Sequence, residues 1–491
     1  MRTIGKLLSI TLALVAIVCF VEGLISHDAG VLSVAAFCAW GMAILTAMCR
    51  EEKNIIYIFF LITFFIFLLS RVMVRWLRFG EIYTPFSIEV MMMIYSCLIT
   101  SLFGLTIGTA TAHIRFGFGK RHLKHLENAR LENEKSNWER KDNVNLDIVR
   151  QISGAATVIC GFAMFFVVIE RIAFWRISGY GGDLRTSFTS TLPDFILRLS
   201  YIYVMMFCIY LASLPEKRRC MPIILQYLIV SALRMFYGSR VSFVVGLMFI
   251  LIYFTIRDRL IEWAGSEEKK WFSRTELTFT VVSIPLLIIL MVFVGNYRTH
   301  QGFEFTSFLD TLGDFFEAQG TSINVIGYTD IYKDKFTQPK YLYLFDRTYE
   351  FLTTNPIGSI ISGRHAYMAN TIERAQYGTS LDMTLYYHIN QVSYLAGNGC
   401  GSSYVAEAWL GYGYTGLFLI NVGLARIMAR LNEYRFRSFF SSVFILIFIQ
   451  SLFFMPRSKF DTFVDDFASI THIFAIIFLW VAYWVIKRKR A

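Results

Sequence analysis

Arg234 and Arg240 flank the turn Tyr237-Gly238-Ser239 between two apolar runs, and Arg298 stands just past a third. Arg347, Arg364 and His365 follow in a long polar stretch, and Glu407 begins another apolar run within Ser402-Ser403-Tyr404-Val405-Ala406-Glu407-Ala408-Trp409. A charge beside hydrocarbon is costly unless an opposite charge meets it, so these groups are functional candidates. Several arginines at one membrane face suit a diphosphate. The planar guanidinium grips phosphate oxygens in pairs and stays charged at any relevant pH. For each arginine taken alone, snorkelling or an internal ion pair is the favoured reading. Arg240 and Arg298 are read together as functional, because both sit at an outer mouth and not in a basic flank. His300 and His365 have no metal-binding neighbours, and acid/base work and plain surface residence are equally open to each. No CxxC or HExxH spacing occurs, so no metal site or cofactor is expected.

Tyrosines crowd the same region. Tyr367, Tyr377, Tyr386, Tyr387, Tyr394, Tyr404, Tyr412 and Tyr414, with Trp409, could stack on sugars or form an interfacial aromatic belt. Gly397, Gly399, Gly401, Gly411, Gly413 and Gly416 point to close backbone approach or a broken helix start. They form no dinucleotide fingerprint, since no strand precedes them.

The elements that must position these groups are membrane helices. The chain has 491 residues, 55% hydrophobic and 17% aromatic, with mean hydropathy +0.50, which excludes a soluble or disordered protein. Twelve apolar stretches predict helices near 7–26, 29–48, 55–73, 85–108, 149–169, 193–213, 221–237, 240–256, 276–296, 404–425, 439–455 and 467–486. The expected fold is therefore an all-α polytopic membrane protein of about 12 spans in the bilayer. Its parts are nine helices in 1–296, a large external loop at 297–403, and three helices with a basic tail in 404–491. The net charge of +11 does not indicate nucleic acid. Well over half of the Lys and Arg fall on one set of alternate loops, including 113–147 and Lys487-Arg488-Lys489-Arg490. That bias places both termini and the 113–147 loop in the cytoplasm. Leu7–Ser26 is too long for the apolar core of a cleaved signal peptide. Only Cys400 of the eight cysteines lies in the outer loop, which therefore lacks an internal disulfide.

The outer loop opens on an amphipathic pattern. Phe305, Phe308, Leu309, Leu312, Phe315 and Phe316 share one helical face, with Asp310, Asp314 and Glu317 on the other. This predicts a lid over 304–318, with its apolar face on the bundle and an end near Gly320. A second aromatic stretch, Tyr341–Leu352, should stop at the Asn355-Pro356 turn signal.

Gly238-Ser239-Arg240 at the start of a helix resembles the O-antigen polysaccharide polymerases of the Wzy type. So does Ser402-Ser403-Tyr404 with Glu407, followed by Gly411-Tyr412-Gly413-Tyr414-Thr415-Gly416. The layout is also similar, with many helices and one large late external loop. The related O-antigen ligases share it. The resemblance implies a metal-independent glycosyltransferase with a C-type bundle, in the bacterial inner membrane. A growing glycan on undecaprenyl diphosphate would pass to an acceptor repeat unit on the same carrier. A Wzx-type flippase and a Wzz-type chain-length regulator would be its partners. Arg240 and Arg298, with Arg364 third, would stabilise the departing diphosphate. Glu407 and His365 would compete for the role of general base, unless Glu407 orients Arg240. Arg234, Arg347, His300, Tyr404 and Tyr412 would contact substrate. Two alternatives are a ligase passing glycan to the lipid A core and a lipid-linked oligosaccharide flippase. Charges gathered at an outer mouth beside a loop of about a hundred residues favour an enzyme over a transporter, which places charge at mid-membrane.

Overall fold

A computed structural model describes residues 2–49, 51–81, 83, 85–112, 144–178, 188–237, 240–264, 270–273, 278, 308–432, 434, 436 and 438–490. The expected helix 276–296, Arg298, His300, Phe305 and most of the 113–147 loop lie outside these residues. For Arg240 and Phe308 the backbone alone is described.

Every regular element among the described residues is helical. The chain opens with α1 (Arg2–Ser26) and α2 (Ala29–Met48). Asp28 makes the tight turn between them possible, because its carboxylate accepts from the Gly30 and Val31 N–H groups at the start of α2. Next come α3 (Asn54–Phe79), α4 (Ile88–Thr111) and α5 (Leu146–Ser178). The expected span 193–213 is two helices, α6 (Asp194–Tyr201) and α7 (Tyr203–Ala212), bent by 42° at Ile202. Helices α8 (Lys217–Leu233) and α9 (Arg240–Ala264) follow. Two lid-side helices come next, α10 (Phe308–Gln319) and α11 (Ile323–Tyr332). Five short ones form the loop segment: α12 (Asp346–Thr354), α13 (Pro356–Ser362), α14 (Ile372–Tyr377), α15 (Leu381–Ile389) and α16 (Gln391–Leu395). The chain returns through α17 (Tyr404–Asn432), α18 (Phe439–Leu452) and α19 (Ile470–Arg490).

Seven helices among the described residues are long and apolar enough to span a bilayer, or eight with the α6–α7 pair. The fold is an all-α polytopic membrane protein. Four of the twelve expected spans are not among these, that of α9 included. One expected span is outside the described residues. Helix α18 has 14 residues, a length of about 21 Å at 1.5 Å per residue against a hydrocarbon core of about 30 Å. Helix α17 is broken at Gly413, whose φ of 63° and ψ of −165° interrupt the helix.

The bundle centres on α4 and α17. Gly104 and Gly108, four residues apart on α4, let the two backbones touch: a Cβ at Gly108 would sit 2.4 Å from the Val422 carbonyl oxygen. Small residues at this spacing permit close helix contact where lipid offers no hydrophobic drive. Helices α1 and α19 bury little of their surface within the protein, as lipid-facing helices do.

Candidate active site

One end of the bundle carries the 308–403 segment, and the connection between α18 and α19 belongs to the same end. Its lid helix, α10, lies where the sequence predicts one, but the expected apolar face is only partly covered: Leu309 is exposed, while Phe315 is buried. Phe315 is buried with Met235 against Phe236, Phe243 and Val244, near the α8–α9 turn. The acidic face is largely exposed at Asp310 and Asp314, yet it also carries ion pairs. Arg78 Nη1 donates to Asp314 Oδ1 at 2.6 Å, and Arg75 Nε donates to Glu317 Oε1 at 2.6 Å. Arg78 also reaches the Asp310 carbonyl and crosses the helix at Gly313, where a Cβ would lie 2.5 Å from its Nη2. A π-helical turn at Phe65–Leu69 in α3 precedes Ser70, whose hydroxyl donates to the Phe316 carbonyl at 2.8 Å. Arg457 closes the far end by donating to Gln319 O and Oε1, both at 3.0 Å.

Beside the lid is a buried charge cluster. Lys459 Nζ donates to Asp346 Oδ2 at 2.8 Å, lies 3.2 Å from Asp382 Oδ1, and also bonds Ser380. Thr379 Oγ1 donates to Asp346 Oδ1 at 2.7 Å. Burial alone would raise the Asp346 pKa, but the Lys459 ammonium and the Arg347 guanidinium outweigh it and hold the carboxyl well below the usual range. Burial would likewise lower the Lys459 pKa, yet Asp346 and Asp382 raise it, so the side chain stays an ammonium. Arg347 Nε is 3.1 Å from Asp465 Oδ2, and its Nη1 donates to Glu350 at 3.4 Å. Asp466, next along, is pushed up to about 7 by burial and by Asp465, against the Ser451 hydroxyl and Arg234. These groups tie α12, the start of α15 and the 457–466 connection into one body.

A shallow cleft, open to solvent, lies beside this body. Its lining includes Tyr349, Glu350, Arg364, His365, Tyr367, Arg374 and Tyr377. Local folding explains the placement. Asn355 caps α13 by accepting from the Ile357 and Gly358 N–H groups, with Pro356 in the first turn, and Gly363 at φ 67° ends it. The chain then doubles back and sets Arg364 against α12. Arg364 Nη1 donates to the Tyr349 hydroxyl, and Nη2 donates to the Tyr377 carbonyl at 2.7 Å. Arg374 forms a two-pronged pair with Glu350. His365 is exposed, its ring 4.9 Å from that of Tyr367.

The structure therefore unites some expected site residues and separates others. Arg364 and His365 share the cleft, and Arg347 lies next to it through Glu350. Arg234 donates from Nε to the Tyr237 hydroxyl at 3.2 Å, on the Asp466 side of the cluster. Glu407 is fully buried; Ser402 Oγ donates to its Oε1 at 2.6 Å and the Phe460 N–H to its Oε2 at 3.0 Å. Both oxygens are thus engaged, and Glu407 fixes the backbone next to Lys459. Tyr404 is also fully buried, its hydroxyl donating to Asn421 at 2.8 Å and its ring against Phe60. That ring offers no face to a sugar. Tyr412 is partly exposed, one residue before the Gly413 break. Gly411 meets the 340–341 backbone, where a Cβ would lie 3.1 Å from Tyr341 Cα. Sequence reasoning missed Asp346, Glu350, Arg374, Asp382, Lys459, Asp465 and Asp466. The last three belong to a run of charges, Arg457 to Asp466, confined between two apolar stretches, a signal open to the same test applied to Arg240. Among the described residues no three His, Cys, Asp or Glu side chains gather as a metal site.

Bundle, lid and aromatic cationic cleft together define a multi-pass membrane protein with a polar cleft at one end. The family model for O-antigen polysaccharide polymerase Wzy matches residues 8–490, and the chain belongs to that family. It is a membrane enzyme of O-antigen polysaccharide polymerisation. No curated protein and no solved structure matches it.

Proposed function

We propose that the protein joins lipid-linked repeat units by passing the growing glycan from undecaprenyl diphosphate to an acceptor repeat on the same carrier. The observation that carries this reading is the cleft, where a fixed guanidinium, an exposed imidazole and three tyrosines stand beside a membrane bundle of the polymerase family. The acceptor hydroxyl attacks the donor's anomeric carbon, the bond to the diphosphate oxygen breaks, and the hydroxyl proton passes to a base. His365 is the base in this reading, since the Glu407 oxygens are both engaged within the fold. Arg234, Arg240 and Arg298 take the charge that develops on the departing diphosphate, and no metal is needed. Both termini face the cytoplasm of a bacterium and the cleft faces outward across the inner membrane, as the Lys and Arg bias of the alternate loops supports.

The test is polymerisation by purified protein in nanodiscs supplied with lipid-linked repeats, with and without chelator. A ladder of products that survives chelation is expected, and a deletion strain should carry single-repeat surface glycan. Loss of all glycan on the lipid A core in that strain would indicate a ligase instead. Activity abolished by chelator and restored by a divalent ion would reject the metal-free step. Reporter fusions at Asn137 and Asn355 should report opposite sides of the membrane; equal signals would overturn the topology.

A further inference from the structure

The arginines of the loop segment differ in what they face. Arg347 has the Asp465 carboxylate and Arg374 has both oxygens of Glu350. Arg364 has only neutral acceptors among the described residues: the Tyr349 hydroxyl, the Tyr377 carbonyl, and Gln338 Oε1 at 3.4 Å. Its guanidinium also lies over the Tyr349 ring, 5.3 Å from the centroid. The side chain is held in place, half-buried, at the wall of an open cleft, with its charge uncompensated. Three of its five N–H groups serve these acceptors, and the other two have no acceptor among the described residues; a positioned cation of this kind suits an anion, because charge-assisted bonds to carboxylate are short and strong.

The surroundings decide which anion. Tyr367 and Tyr377 stand side by side with ring centroids 6.1 Å apart, and Tyr377 is half exposed. Such faces take the apolar side of a sugar ring. A diphosphate brings at least two negative charges, whereas the cleft has one uncompensated cation and already includes the Glu350 carboxylate in its wall. One positive charge beside aromatic faces fits a singly charged sugar.

We propose that Arg364 is a specificity-determining residue that reads a sugar carboxylate, so that the repeat unit this enzyme polymerises contains an acidic sugar. This rests on the polymerase reading and adds the chemical class of the repeat.

The experiment uses the full chain in nanodiscs and saturation-transfer NMR with three probes: methyl glucuronide, its methyl ester and methyl glucoside. The glucuronide should bind at least tenfold more tightly than either neutral probe, and Arg364→Gln should erase that difference. The ester comparison on unaltered protein keeps the test valid if Arg364→Gln disturbs the cleft. Equal binding of all three probes overturns the proposal. So does displacement of the glucuronide by pyrophosphate at a lower concentration than by free glucuronate, since the cleft would then hold the carrier's diphosphate. Sugar analysis of the host's surface glycan supplies an independent arm. A neutral repeat, with the polymer ladder still dependent on this protein, overturns the inference and leaves the polymerase reading intact. A ladder that persists without the protein overturns that reading instead.

Discussion

Replacing Lys459 by Met tests whether the buried cluster holds the cleft together. Asp346 is fully buried and Lys459 is 5% exposed, with 2.8 Å between their charged atoms. Removing one partner of a buried pair typically costs about 3–5 kcal/mol, because the other charge is left without compensation. Asp346 keeps the Thr379 hydroxyl, and Arg347 stays 3.9 Å away, which favours the lower part of that range. The carboxyl can also escape by taking a proton. From an ordinary pKa near 3.9, protonation at pH 7 costs about 4 kcal/mol, at 1.36 kcal/mol per unit, and this caps the penalty. A loss of about 3–4 kcal/mol is a fall of two to three powers of ten in the equilibrium that keeps α12 closed against residues 375–382.

Amide hydrogen exchange at 348–354 and 375–382, in nanodiscs, measures that opening directly. The pH response separates this mechanism from general damage. In the native protein Asp346 has a depressed pKa, so its stabilisation is complete above the ordinary carboxylate pKa and is lost as the pH falls below it. In Lys459→Met the uncompensated carboxyl should titrate above its ordinary value. Protection, corrected for intrinsic exchange, should then recover by up to about tenfold for each unit the pH is lowered from 7 towards 5. The double variant Lys459→Met/Asp346→Asn should regain much of the loss at pH 7. A fall below tenfold in the single variant, or protection that keeps dropping as the pH is lowered, would refute the reasoning.

Asp466, pushed up to about 7, gives the opposite sign. Stability should decline as the pH rises from about 4 to 7, and Asp466→Asn should flatten that slope in a thermal-shift series. Gly413→Ala forces a side chain into backbone that only glycine adopts readily, at φ 63°, and should cost about 1–3 kcal/mol, read as lower thermal stability with reduced polymer length. Phe315→Asp buries an unpaired charge under the lid, at several kcal/mol of docking. Activity should fall while membrane insertion, checked by fractionation, is retained. Arg240→Lys and Arg298→Lys keep the charge but lose the fork, so each should slow transfer about five- to hundredfold, from roughly 1–3 kcal/mol of charge-assisted bonding. Their effects should be less than additive if both grip one diphosphate; full activity in both would remove them from the site.

The bundle is legible in the sequence because a span must be apolar along its whole length, and that property is local. The lid is legible for the same reason, since α10 has an apolar stripe of its own. Its docking is only half legible. The sequence sets Asp310, Asp314 and Glu317 on one face but does not show that Arg71, Arg75 and Arg78 pair with it, more than 230 residues away along the chain. The charge cluster hides for the same reason: Asp346 and Lys459 are 113 residues apart, and neither sits in a motif. Glu407 and Tyr404 stand out because polar groups are rare at a helix start in an apolar chain. Rarity cannot tell a group that binds substrate from one that satisfies the fold; both side chains are buried here and hydrogen-bonded within it. Gly413 is the reverse case: a glycine among glycines whose backbone angles give it a particular role.

The distribution of charge bears on how a polymerase can work at all. Each cycle must hold a repeat firmly enough to align it and then release a product that differs only in length. Contacts made by many free arginines would oppose release as strongly as they favour capture, because uniform binding speeds no step. In this loop segment Arg347 and Arg374 are committed to Asp465 and Glu350, and Lys459 to Asp346 and Asp382. These pairs tie the walls of the cleft together. Among the described residues, Arg364 alone of Arg347, Arg364 and Arg374 turns its charge to the cleft without a carboxylate. If Arg364 reads the glycan as proposed, a single preorganised contact of this kind would give orientation with little reorganisation on binding, while its modest strength would let the glycan leave. The rigidity of the buried pairs and the openness of Arg364 are thus complementary: without the first, the second would have no fixed direction in which to point.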